Sequence, residues 1–392
     1  MVIGFHYHIP IQSVGDGRYL TQSFFGLFLD SLSTWFDEII VFAYSPLATE
    51  VGLMDYELTA KNIRMVNLGP HNSVPRRLMR LFAARRAILK FRHDIDLFLV
   101  RSPTPLLLVF STLGTYKPII MYLVGDYLEA SRSLQSGTLK TASIRMLSLL
   151  VDLAQRKVAK HNLVVTNSKN LYDKYGSIAR KVEIVRSTTL SPHDFFYRED
   201  TCSQSTIKVL FTGRLDPLKG LFELVEACNQ LAEKGQSIEL HLAGLLLKGL
   251  EDLPKRLSDA ANGSMKGKVF YHGKKRVGQD LNALYRMCDV YVVASKGVEG
   301  FPRTIWEAFA NGLPVVASRI GSIPEFLEDE KDALLVTPGS TDDIEHALWR
   351  VISDSNLRQC IIANGYKQAE GNTLEKQGKK MADVLKSYLA EI

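Results

Sequence analysis

The chain has 392 residues, 46% of them hydrophobic and 23% charged, with 48 Lys and Arg against 42 Asp and Glu for a formal charge of +6. That length exceeds one ordinary core and suits two domains of roughly 150–200 residues each. The balance excludes a disordered or fibrous chain; the mild basic excess permits an anionic substrate or membrane surface, and no nucleic-acid partner is expected from it.

In chain order, the first half carries short apolar runs at 2–9, 38–44, 63–69, 96–102, 118–124, 162–168 and 182–188. The second half repeats the rhythm more cleanly, with KVLFTG (208–213), SIELHLAG (237–244), KVFYHG (268–273), DVYVVAS (289–295), PVVASRI (314–320) and ALLVTP (333–338). Amphipathic segments lie between the runs. Near-continuous Val/Ile/Leu runs alternating with helices predict parallel sheets covered on both faces. The expected architecture is α/β: two doubly wound, Rossmann-like domains over 1–190 and 205–370, facing a central cleft. The polar stretch from 187 to 205 is the seam. Residues 371–392 read as a C-terminal helix, with a return to the N-terminal domain as one option. Ligands of such sheets bind at the carboxyl ends of the strands.

The N-terminus lacks a basic leader and cleavage site, no run approaches the roughly 20 apolar residues of a membrane span, and the four cysteines show no close pairing. A cytoplasmic protein with reduced thiols is expected.

Several stretches carry chemistry. In GRLDPLKG, Gly213 allows a tight turn after a strand, and Arg214 and Lys219 flank a turn built on Asp216 and Pro217. Two cations beside a helix start suit a diphosphate, and they equally suit a solvated turn. In EGFPRTIWEAFANG, Pro302 fits the first position of a helix that Gly312 stops. Glu299 then lies in the loop and Glu307 on the second turn, two acceptors for sugar or ribose hydroxyls. Asp94 and Asp96 form an Asp-x-Asp at the amino end of a strand, away from the binding edge, and read as strand entry rather than a metal site.

GRLDPLKG followed by EGFPRTIWEAFANGLPVVAS and GSIPEFL resembles the retaining nucleotide-sugar glycosyltransferases of the GT-B fold, family GT4, with Glu299 and Glu307 meeting the E-x7-E signature. The resemblance is strong over about 205–355 and weaker over the N-terminal half. It implies an enzyme that moves a hexose-type sugar from a nucleoside diphosphate sugar to a glycan or lipid-linked acceptor, with no metal and no cofactor. Arg214 and Lys219 would hold the diphosphate, Glu299 the transferred sugar, and Glu307 the ribose. The amides of Gly300 and Phe301 would assist at the helix start.

The same resemblance points to Gly15 and Gly17 as contacts of the donor phosphates or the acceptor, in a glycine loop before a helical segment from Tyr19 to Trp35. Turn chemistry accounts for them as well. Gly125 stands where relatives carry a histidine, so Asp126 becomes the candidate acceptor base, with helix capping as its alternative. Leu245 and Leu246 fill a space that is usually glycine. Gly273 and Lys274 would border the nucleotide. His8 reads as a rim histidine. Finally, 75–93 is a basic helical segment with Leu78, Leu81, Phe82 and Leu89 on one face; it either packs on the sheet or lies on an anionic membrane. Two other readings stay open: a non-catalytic sugar-nucleotide-binding partner, and an NAD-dependent dehydrogenase, which the incomplete G-x-G-x-x-G at Gly15 disfavours.

Overall fold

All thirteen apolar runs become strands of two parallel sheets in the computed structural model, which describes every residue except 113–116, 133–138, 248 and 298–299. The first sheet runs Lys181–Ile184, Leu163–Thr166, Ile119–Leu123, Leu97–Ser102, Val2–His6, Glu38–Ser45, Ile63–Pro70 from edge to edge. The second runs Val269–Tyr271, Ser237–Ala243, Thr206–Thr212, Val290–Val293, Val315–Ser318, Leu334–Val336. Within each sheet the succession is 3-2-1-4-5-6, with a seventh strand added to the first. This is the doubly wound order, whose direction reverses between strands one and four.

The chain divides into two compact units, 1–187 with 374–392, and 188–373. Burial explains why the runs are strands. In Glu38–Ser45, Ile39, Val41 and Ala43 enter one core while Ile40, Phe42 and Tyr44 enter another, so both faces of the strand are covered. In the second unit Val290 and Val292 face one cluster and Tyr291 and Val293 the other. The helix Leu374–Ala390 belongs to the first unit, where Met381, Ala382, Leu385 and Tyr388 share a core with Phe5, Phe25 and Leu29. Gly378 makes the approach close: a Cβ there would stand 3.2 Å from Trp35 Nε1.

Three local expectations are corrected. The helix expected from Tyr19 begins at Ser23 and ends at Ser33; Tyr19–Thr21 is instead a strand, antiparallel to Gln12–Ser13 and Tyr56–Glu57. Gly15, Asp16 and Gly17 all have positive φ (91°, 50° and 72°) and form the tip of that hairpin, so they do not lead into a helix. The segment 75–93 is two short helices, Val74–Leu78 and Leu81–Leu89. The second buries Ala84 and Ile88 and leaves Phe82 85% exposed, so Phe82 is not on the packed face. The helix Arg303–Ala310 takes Pro302 as its N-cap rather than its first residue. Among the described residues no helix is long and apolar enough to cross a membrane.

Candidate active site

The strand Thr206–Thr212 delivers Gly213 and Arg214 to its carboxyl edge, with Gly213 at φ 148°. Asp216 then caps a single tight turn, Pro217–Lys219, by accepting the Leu218 amide hydrogen at 2.9 Å. Gly220 closes it at φ 66°, where a Cβ would lie 1.9 Å from the Ala294 carbonyl oxygen. No other residue permits that approach, and it sets Lys219 beside the exit of the neighbouring strand, Val290–Val293.

From that strand the chain passes Ser295, fully buried, and reaches the helix Arg303–Ala310. A cavity of about 250 Å³ lies here, lined by Gly213, Arg214, Lys219, Arg303 and Glu307, with Ser295, Thr304 and Pro302 completing the wall. It sits at the reversal point between strands one and four of the sheet, where doubly wound folds take their ligands. The start of Arg303–Ala310 adds the positive end of a helix dipole. The arrangement is thus three cations and a helix start around one buried carboxylate, which suits a polyanion carrying hydroxyl groups.

Glu307 is only 6% exposed, not the surface acid that a helical position allows. Its charge is held by two hydroxyls: Thr189 donates to Oε1 at 2.7 Å and Tyr285 donates to Oε2 at 2.9 Å. Burial first, and the Glu307 charge second, push the Tyr285 phenol well above its ordinary pKa, so it stays a donor. Tyr285 also meets Thr212 Oγ1 at 2.7 Å, and Tyr291 reaches that hydroxyl at 3.1 Å. Thr189, Tyr285 and Arg303 were not singled out from sequence. Tyr285 lies on the amphipathic helix Gln279–Met287, and Thr189 in the aperiodic seam, where nothing local marks them.

The other candidates fall in separate places. Gly273 closes the next turn along the same edge: its carbonyl accepts the Gly244 amide hydrogen at 2.9 Å, and a Cβ on Gly244 would strike the Gly213 carbonyl at 1.6 Å. Three successive strand-end turns therefore lock together, with Lys274 exposed beside them. Leu245 and Leu246 join this edge by pairing with Leu215 rather than by filling the cavity. Gly300 is exposed, and the Phe301 ring stacks on Trp306 at 4.4 Å. Glu299 lies outside the described residues. In the first unit, Asp126 accepts the Leu128 and Glu129 amide hydrogens through Oδ1, and Lys174 at 2.6 Å through Oδ2. That is a capping and bridging geometry. His8 is mostly enclosed, and burial, with the charges of His6, Arg101 and Arg77 behind it, lowers its pKa to about 3. Asp96 accepts the Val2 amide hydrogen at 2.8 Å at the amino end of its strand.

Residues 197–368 match the family described as glycosyl transferases group 1. An uncharacterized glycosyltransferase of Methanocaldococcus jannaschii is 30% identical over 220 residues, covering 52% of this chain and 54% of that protein. A D-inositol 3-phosphate glycosyltransferase of Saccharomonospora viridis is 30% identical over 189 residues, 47% of this chain and 43% of its own length. The chain thus spans about half the length of the curated relatives it matches. Among solved structures, HepE from Anabaena superposes over 99% of this chain and 100% of its own with a TM-score of 0.71 at 20% identity. Sucrose-phosphate synthase from Thermosynechococcus elongatus covers 100% of both chains with a TM-score of 0.76 at 16% identity. Residues 197–368 thus carry the likeness to glycosyl transferases group 1, and the fold over the whole length is that of the GT-B structures, two Rossmann-like units.

Proposed function

We propose that this protein is a glycosyltransferase that moves a hexose-type sugar from a nucleoside diphosphate sugar to an acceptor hydroxyl, with retention of anomeric configuration. The observation that carries the reading is the convergence of Arg214, Lys219, Arg303 and Glu307 on one cavity at the reversal point of the second sheet. The HepE structures contain UDP, or UDP-glucose, which supports a nucleotide-sugar donor for this chain.

In this reading the diphosphate lies against Arg214 and Lys219 and the start of Arg303–Ala310. Charge grows on its leaving oxygen as the sugar–oxygen bond breaks, and pre-set cations stabilise that charge without reorganising. They fill the role a divalent ion plays elsewhere, so transfer proceeds in EDTA. Glu307 receives the ribose hydroxyls by exchanging them for the Thr189 or Tyr285 donors. Glu299 holds the transferred sugar, and Gly213, Gly273, Lys274, Gly300 and Phe301 border the donor. Attack from the face the diphosphate leaves accounts for retention. The product class is a surface polysaccharide or glycolipid made in the cytoplasm.

Single-site replacement tests it. Lys219→Ala should weaken nucleoside diphosphate binding about 10- to 100-fold, the worth of a charge-assisted contact in a half-enclosed site, while barely changing affinity for the nucleoside. If Lys219→Ala and Glu307→Ala both leave donor hydrolysis and transfer intact, the assignment is wrong.

A further inference from the structure

The first unit contains a larger cavity, about 460 Å³, that no part of the donor site uses. It opens at the reversal point of the first sheet, past the carboxyl ends of Val2–His6 and Leu97–Ser102, between the helices Val74–Leu78 and Leu139–Ala159. Its wall is largely hydrocarbon: Val74, Pro75, Pro103, Pro105, Leu147 and Val151. Packed interiors hold few voids larger than a water molecule, whereas ligand pockets run from roughly 300 to 1,000 Å³.

One charge stands in that wall. Arg77 lines the cavity with its Nε buried and without a hydrogen-bond acceptor, its guanidinium 5.2 Å from the Tyr44 ring centroid. Among the described residues no carboxylate pairs with it. Arg101, the next cation, stacks 4.2 Å from the Tyr7 ring centroid, and its Nε is likewise buried and unpartnered. His8, between them, carries no charge near neutral pH. Both residues are half-buried, and each leaves a buried Nε donor without an acceptor; an anion at the half-buried Arg77 guanidinium would supply the missing counter-charge.

The helix Leu139–Ala159 supplies the second observation. Leu147 and Val151 face the cavity, yet Met146, Leu149, Leu150 and Leu153 stand outward, each 47–64% exposed. These four recur at helical spacing, and Lys157 and Lys160 continue the same outward stripe. Ile144, which lines the cavity, is itself 39% exposed at its rim. An apolar surface this continuous marks contact with something apolar. The exposed apolar face thus lies on Leu139–Ala159 more than on the basic segment 75–93.

We propose that this cavity binds a single-chain lipid phosphate, with the hydrocarbon against Leu147, Val151 and the prolines and the phosphate on Arg77. It places the lipid phosphate anchor of the acceptor, whose receiving hydroxyl is on a sugar carried by that phosphate, and rests on the transferase reading only for the word acceptor. Binding itself does not require transfer.

The test uses the full chain without donor, titrated with farnesyl phosphate, farnesol, inorganic phosphate and glucose 6-phosphate. Farnesyl phosphate should bind at least about 10-fold tighter than farnesol and about 100-fold tighter than either soluble phosphate. Arg77→Gln should bring farnesyl phosphate down to the farnesol level. Ser143→Trp, an exposed position at the cavity, should weaken both lipids about 10-fold or more by filling the space. Circular dichroism melts of both variants verify folding. Soluble phosphates that match farnesyl phosphate would overturn the proposal, as would undiminished discrimination in Arg77→Gln or unchanged binding in Ser143→Trp. Lipid phosphate binding that persists while Lys219→Ala and Glu307→Ala leave donor hydrolysis and transfer intact would uphold the site and sink the transferase reading instead.

Discussion

Tyr285→Phe isolates the support of the buried Glu307 charge. The phenol donates to Oε2 at 2.9 Å, and Glu307 is 6% exposed, so water cannot replace the lost hydroxyl freely. Thr212, a second partner, keeps Tyr291 at 3.1 Å, and the contact with the Thr304 carbonyl is long at 3.4 Å, so no second orphan arises. The loss is then one hydrogen bond to a buried charge, about 2 kcal/mol. For a unit the size of 188–373 each kcal/mol moves the midpoint by roughly 2–4 °C, giving a drop of about 4–8 °C. The chain has three tryptophans; in a Trp35→Phe background the remaining two, Trp306 and Trp349, both lie in 188–373, so fluorescence melts follow that unit. In a Glu307→Gln background the charge is gone, and the same change should cost half as much or less. A shift below about 1 °C, or an equal cost in both backgrounds, would refute the argument that this hydroxyl carries the charge.

Gly220→Ala should disable the second unit, since its Cβ would meet the Ala294 carbonyl at 1.9 Å; Gly235→Ala, at φ 92° with nothing within 4 Å, should cost only about 1 kcal/mol in urea unfolding. His6 is fully buried, its Nδ1 donating to the Phe42 carbonyl at 2.7 Å, and burial, against the pull of that bond, lowers its pKa to about 4. The unfolded chain therefore binds the extra proton first, and the stabilisation, complete above about pH 6.5, should fade between there and pH 4 by about 3 kcal/mol. His6→Gln should remove that share of the slope in melts taken across the range, leaving the part that the lowered His8 contributes. Asp126→Asn should lower the stability of the first unit by about 1–2 kcal/mol, through the weakened cap and the lost Lys174 bridge, and leave transfer within a few-fold of wild type. A loss of 100-fold or more in kcat would instead support Asp126 as the acceptor's base.

Whatever is carried by local pattern was legible in the chain. Runs such as EIIVFAY bury both faces, and an unbroken apolar strand is itself the signal for that. GRLDPLKG was legible because a turn that needs positive φ shows its glycine, here Gly213 at φ 148°; Gly220, at φ 66°, was not singled out. Pro302 and Gly312 likewise bracket their helix within a residue. The rest depends on partners far along the chain. Thr189 reaches Glu307 across 118 positions, and no local period announces it. The small sheet of Gln12–Ser13, Tyr19–Thr21 and Tyr56–Glu57 has strands too short for alternation to register, so Tyr19 was absorbed into the helix that follows. Phe82 misled because a helical wheel assumes one helix, whereas the chain breaks after Leu78 and restarts at Leu81.

The return of Leu374–Ala390 to the first unit has a consequence for synthesis. The ribosome releases the first sheet early, but Met381, Leu385 and Tyr388, which share a core with Phe5, Phe25 and Leu29, are made only after 188–373. Nascent chain therefore holds an uncovered apolar sheet face while the whole of 188–373 emerges and folds. That interval is when the protein is most exposed to aggregation and to chaperones. A premature stop after Thr373 would strike the first unit, which begins to be made long before it.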